Sequence, residues 1–247
     1  MSKYLRDWPK EIEERSKWIK DYVTDARAKG VGLGLSGGKD SVIVSYLCKK
    51  ANVKTLGISM PIGNNKEDEN VAKKYAEMLG VEFYTKDLSE SFNSMVKELE
   101  TINKVEGLAL ANIKPRLRMT FIYAICQQRN YLVIGTGNKS EYITGYFTKW
   151  GDGAYDLNPI FDLTVTELFD LMKYIDENEE YDFKEILNRV PSGGLYEGQT
   201  DEKELGISYA KIDSYIRNEA DEDTNIYLDK MYKRTMHKRN TPARYNK

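Results

Sequence analysis

The stretch Val31-Gly-Leu-Gly-Leu-Ser-Gly-Gly-Lys-Asp-Ser41 decides the fold. Its first five residues are apolar with no polar alternation, the pattern of a strand covered on both faces in a parallel sheet. Ser36, Gly37 and Gly38 then make a tight turn into a helix expected over about 40–51. Glycines let backbone N–H groups approach an anion, and a helix N-terminus adds partial positive charge. The turn therefore reads as a phosphate cradle. It is not a Walker A loop, because Leu33 holds the first glycine position of that motif and Asp40 follows the lysine. An aspartate in a phosphate loop repels its ligand unless a divalent cation lies between them, so Asp40 predicts Mg2+. The plainer alternative is a glycine-rich turn in which Ser36 caps the helix.

Outward from this stretch, strands and helices alternate. An amphipathic helix over 8–29 comes first, with Trp8, Ile12, Trp18, Ile19 and Val23 at helical spacing. Downstream the pattern predicts a strand at 54–60, a helix at 67–79 stopped by Gly80, and a strand at 81–84. Helices at 89–103 and 107–129 follow, then a strand at 131–134. Residues 138–163 read as a glycine-rich loop. Helices are expected at 164–178, 182–188, 208–219 and 221–239. Alternation of this kind implies right-handed crossovers and an α/β fold, a doubly wound open parallel sheet flanked by helices, in one domain over 1–247. Ligands of such sheets sit beyond the carboxyl ends of the strands.

Composition narrows the function classes. The 247 residues carry 37 Lys and Arg against 39 Asp and Glu, a net charge of −2, so no global basic field points to nucleic acid. No apolar stretch approaches the roughly 20 residues of a membrane span, and no signal peptide is evident. A cytosolic location is expected. Two cysteines, Cys48 and Cys126, and the single His237 make disulfide frameworks and histidine-based metal sites improbable. Residues 230–247 hold seven Lys or Arg and no acid, either a solvated face or a basic wall for a phosphate-bearing substrate.

The string Ser36-Gly-Gly-Lys-Asp-Ser41, directly after a buried strand, resembles the loop of the ATP pyrophosphatase (PP-loop) superfamily, of the Rossmann-like adenine nucleotide alpha-hydrolase type. Five strings follow in order: Gly135–Glu141; Thr144–Gly153, with Asp156 and Asn158-Pro159 after it; Pro191–Leu195; Gly198–Gly206; and His237-Lys-Arg239. Together they resemble the ammonia-dependent NAD synthetases from Val31 to Arg239. The resemblance implies ATP-dependent amidation of deamido-NAD by ammonia through an acyl-adenylate, in a homodimer. The chain length leaves no room for an added glutaminase domain.

The same resemblance assigns roles. Gly34, Leu35, Ser36, Gly37, Gly38, Lys39, Asp40 and Ser41 form the ATP loop, and Thr136 and Ser192 are further ATP contacts. Asp40 and Glu141 are the Mg2+ carboxylates. Arg116, Lys149, Asp156, His237 and Lys238 contact deamido-NAD. Lys149 stabilises developing phosphoryl charge. Asp152 helps hold ammonium within a lid over 144–156, and 191–206 form a second flap. Val165 stands where the family usually has a lysine, and Pro115 places Arg116 in a first turn or at a kink. An unusual loop at 61–66 leaves nicotinate mononucleotide as an alternative substrate, and a nucleotide-binding paralogue as an alternative to an enzyme. The helices at 8–29 and 107–129 are candidate dimer surfaces or ordinary core.

Overall fold

The computed structural model describes residues 3–63, 66–189 and 200–245. Its sheet has four strands, β1 (Gly30–Gly34), β2 (Thr55–Ser59), β3 (Glu82–Thr85) and β4 (Tyr131–Val133). All pair in parallel, in the order β3-β2-β1-β4. A parallel bridge between Ile134 and Leu157 extends the β4 edge.

The alternation inside the β1 run explains how both faces are covered. Val31, Leu33 and Leu35 join the larger core with Trp8, Ile12, Ile19 and Val23 of α1 (Trp8–Asp25). Helices α2 (Lys39–Lys50) and α3 (Lys66–Leu79) complete that layer. Gly32 faces the other way, where an added Cβ would run into the Sγ of Cys126 on α6 (Ile113–Arg129). The missing side chain lets α6 settle onto the strand. Leu56, Ile58, Ile122, Cys126 and Val133 fill this second core. Trp18 and Tyr22 project outward from α1, so its apolar stripe is core and only these two aromatics are exposed.

Both cysteines are buried and free. Burial raises the Cys48 thiol to about 12 and the Cys126 thiol to about 11. At pH 8 neither forms appreciable thiolate, and the thiolate is the nucleophile. The native protein should therefore leave an aromatic disulfide reagent unreacted at pH 8, and both thiols should titrate once it is denatured. Fast reaction of the native protein would contradict this packing.

The remaining helices are α4 (Ser89–Glu100), α5 (Gly107–Ala111), α7 (Lys139–Thr144), α8 (Val165–Asn178), α9 (Lys184–Leu187), α10 (Asp201–Leu205), α11 (Tyr209–Ile216) and α12 (Glu222–Arg234). Val165, Leu205, Tyr209, Ile212 and Leu228 form a third apolar cluster. Four sequence expectations change. The stretch 138–163 is not all loop, because Asn138 and Glu141 close a reciprocal capping box and start α7. The segment 107–129 breaks at Asn112, and Pro115 sits in the first turn of α6, where its missing N–H is not needed. The helix expected to 239 ends at Arg234, and Met236–Lys238 form a 3-10 turn. Ser36 does not cap α2; Gly38 occupies that position in extended conformation.

Candidate functional site

Strands β2 and β3 lie on one side of β1 and β4 on the other. The order reverses between β1 and β4, and a crevice opens there beyond their carboxyl ends. The turn 36–38 leaves β1 into α2 on one wall. On the other wall, Gly135–Asn138 leaves β4 into α7.

The turn is shaped by close packing. Gly37 has φ +77°, and a Cβ there would lie 2.9 Å from the Ala72 backbone nitrogen. Ser36 Oγ accepts from the Gly38 N–H at 3.2 Å, and Ser41 Oγ donates to the Gly38 carbonyl at 3.0 Å. These bonds hold the start of α2 in a fixed posture facing the crevice.

Acids meet across it. Asp40 stands in the first turn of α2 and Glu141 in the first turn of α7. Glu141 Oε2 accepts from the Asn138 N–H at 2.9 Å, which fixes its carboxylate to the strand end. Burial, then the Asp40 charge, push the Glu141 carboxyl well above its usual range. Burial also raises the Asp40 carboxyl, against the pull of Lys39, whose Nζ lies 3.1 Å from Asp40 Oδ2. Asp40 Oδ1 and the Asn138 amide nitrogen make no hydrogen bond of ordinary geometry, although the Asn138 amide lies close enough to pull the Asp40 carboxyl down. Asp201 at the start of α10 adds its charge against Asp40, and Asp152 against Glu141.

Two carboxylates from neighbouring strand ends, one with an oxygen short of hydrogen bonds, suit a hard divalent cation that takes its other ligands from phosphate and water. Among the described residues no three acidic, His or Cys side chains group into a protein-only cage.

The other predicted site residues divide into two sets. Thr136 is half-buried on the turn after β4. Arg116, Lys149, Asp152, His237 and Lys238 lie close to one another. Arg116 Nε donates to the Lys149 carbonyl at 3.3 Å, and Lys149 Nζ donates to the His237 carbonyl at 2.6 Å. Asp152 accepts from the Thr148 N–H at 3.0 Å and senses the charge of Lys238. His237 is exposed in its 3-10 turn. Lys238 Nζ donates to the carbonyls of Gly145 and Phe147, and Arg239 to those of Tyr142 and Ile143. This part of the basic tail binds the carbonyl end of α7 and the loop after it.

Asp156 has a structural task at the sheet edge. Its Oδ2 accepts from the Val133 N–H at 2.7 Å, and its Oδ1 from Tyr123 Oη at 3.4 Å. The 144–156 segment is held by α6, the 3-10 turn and β4. Ser192 and most of the 191–206 flap lie outside the described residues. Asn138 and Asp201 were not singled out from sequence. The Asn-x-x-Glu spacing of the capping box was the available signal for Asn138; nothing local distinguishes Asp201 from the acids beside it.

Fold and site together define a Rossmann-like α/β protein with a nucleotide crevice of the PP-loop type. The sequence matches the NAD synthase family over residues 11–242. It is 42% identical over 240 residues to an NH(3)-dependent NAD(+) synthetase of Carboxydothermus hydrogenoformans, covering 96% of this chain and 97% of that protein. The chain belongs to the NAD synthase family. Among solved structures it resembles the NMN synthetase from Francisella tularensis, with a TM-score of 0.90, 32% identity, and coverage of 98% of this chain and 99% of that one. It also resembles the NH3-dependent NAD synthetase from Campylobacter jejuni, with a TM-score of 0.81, 27% identity, and coverage of 98% and 100%.

Proposed function

We propose that this protein amidates deamido-NAD with free ammonia, using ATP and releasing AMP and pyrophosphate. One observation carries the reading: a glycine turn and a facing carboxylate pair with an oxygen short of hydrogen bonds occupy the switch point of a chain that aligns with NAD synthases over nearly its whole length.

A carboxylate is a poor acyl donor, so it must first be activated. In the first step an oxygen of the nicotinate carboxylate attacks the α-phosphorus of ATP. The bond to the bridging oxygen breaks, and pyrophosphate leaves. In the second step ammonia attacks the acyl carbon, AMP departs, and the nitrogen gives up one proton. The backbone N–H groups of 36–41 hold the diphosphate, with Thr136 and Ser192 as further ATP contacts. Asp40 and Glu141 would hold Mg2+. The chemistry supplied by that ion is charge neutralisation on the phosphoryl oxygens. Arg116, Lys149, His237 and Lys238 receive the dinucleotide. Lys149 Nζ, donating to the His237 carbonyl and lying over the Trp150 ring at 5.3 Å, forms no ion pair with a carboxylate among the described residues and can turn toward phosphoryl charge. Asp152 stands beside this group as the acid for ammonium. Asp156 shapes the wall from the β4 edge. No side-chain nucleophile is required, and positioning does most of the work.

The test is a coupled measurement of AMP and pyrophosphate with deamido-NAD and ammonium. Parallel reactions use nicotinate mononucleotide, because the chain is so close in fold to an NMN synthetase. The reading expects higher kcat/KM for deamido-NAD. Preference for the mononucleotide would reassign the substrate, and release of neither product would overturn the enzyme.

We also propose that the partner is a second copy of this chain. Helices α4 and α5 have no buried residue. Met95, Ile102 and Leu108 in that region are 44%, 85% and 67% exposed, and Leu117 and Phe121 of α6 are only half-buried. So much apolar surface on one side marks an interface. Sedimentation should show a dimer that Leu108→Glu weakens. A parent protein that stays monomeric at micromolar concentration would refute this.

A further inference from the structure

Lys39 is an unexpected residue for its position. It occupies the first helical position of α2, where the backbone dipole disfavours a cation. Its side chain is nonetheless only 10% exposed and lies over the Phe169 ring at 5.5 Å. Lysine ammonium is strongly hydrated and is rarely buried without partners. The partners here are acidic: Nζ is 3.1 Å from Asp40 Oδ2, and the charges of Asp40, Glu141 and Asp201 all act on it. Asp201 is 6% exposed. Its Oδ2 is taken by Tyr209 Oη at 2.8 Å, and its Oδ1 has no partner. Three carboxylates against one ammonium leave a formal charge of −2, the complement of one divalent ion. The acids are too few and too spread to ligate an ion by themselves.

We infer that Lys39 is the resident counter-cation of this acid set: it occupies Asp40 before nucleotide and metal arrive, and leaves that carboxylate for the phosphates when they do. This rests on Asp40 and Glu141 being the carboxylates of the divalent cation. The flexible stem of Lys39 makes the transfer a side-chain rotation, with no bond made or broken. A divalent ion alone must displace the ammonium from Asp40 while offering it no other anion. With ATP present, the triphosphate offers the ammonium another anion. Metal and nucleotide therefore bind with positive coupling, shared equally by both ligands.

The experiment measures Mn2+ binding by electron paramagnetic resonance, with and without ATP, on the full chain. Lys39→Met should tighten Mn2+ alone by about tenfold, the scale of removing one close charge at a buried site. It should also shrink, by a similar factor, the gain in Mn2+ affinity that ATP brings. Lys39→Arg keeps the charge and should behave like the parent. If Lys39→Met does not fold, Lys39→Gln carries the same expectation. Unchanged or weakened Mn2+ binding in the neutral variant, while Asp40→Asn still weakens Mn2+, would overturn the inference about Lys39. Mn2+ binding that Asp40→Asn leaves intact would instead overturn the metal site on which it rests.

Discussion

Asp40→Asn should fold and still make almost no amide. The two shapes are isosteric, burial already works against the Asp40 charge, and Lys39 keeps the charges of Glu141 and Asp201 when that of Asp40 is removed, so the fold is expected to survive the change. What is lost is the anionic charge on the buried oxygen that makes no hydrogen bond of ordinary geometry. Removing one preorganised charge contact from a transition state typically costs about 10²–10³ in turnover. Here the residue also anchors the proposed cation, so a fall of about 10³ is the expected size. The melting temperature should move by only a few degrees. The decisive comparison is AMP release per minute against thermal melting on the same sample. Parent-like turnover would remove Asp40 from the chemistry, and a large drop in melting temperature would give it a structural role instead.

Gly37→Ala should have the second largest effect, on stability as well as on ATP. The residue sits at φ +77°, which costs an L-residue roughly 1–2 kcal/mol. Its new Cβ would also lie 2.9 Å from the Ala72 nitrogen and 3.0 Å from Val71 Cγ1, and overpacking of this kind costs about 1–3 kcal/mol. A total near 2–5 kcal/mol follows, or about 4–20 °C in melting temperature for a chain of this size. Any shift that relieves the clash moves the N–H groups of the turn, so the KM for ATP should rise as well. Gly38→Ala is the control. Its backbone is extended, and the nearest atom to its added Cβ is Ser36 Oγ at 3.3 Å. Equal losses at both positions would show that close packing on α3 does not shape the turn.

The sheet and the first wall of the crevice were legible in the sequence because their signals are local. An apolar run, a glycine turn and an aspartate out of place for a phosphate loop stand within eleven residues, Val31 to Ser41. Strand order was not legible, since pairing of β4 against β1 joins segments about a hundred positions apart. Glu141 by itself resembles any solvated helix acid; only its capping bond to Asn138 and its burial opposite Asp40 distinguish it. Lys238 and Arg239 suggested a wall for phosphates, but a charge run does not reveal its partners. Both spend donors on backbone carbonyls of the 142–147 segment. The resemblance makes Asp156 a substrate contact, and a charge in a loop does not announce that its carboxylate also accepts from the Val133 N–H at the β4 edge. Asp201 lies inside the Gly198–Gly206 string but nothing in the sequence gives it a role of its own, because its importance comes from which residues the third cluster brings near it.

Helix α7 spans only six residues, so holding either end holds the whole. Its carbonyl end is gripped by Arg239, which is translated 97 positions after Tyr142. A nascent chain can thus finish its sheet and its glycine turn long before the acid wall opposite acquires its brace. Substitutions in the tail that remove this grip should therefore be felt in the geometry of acids they never touch.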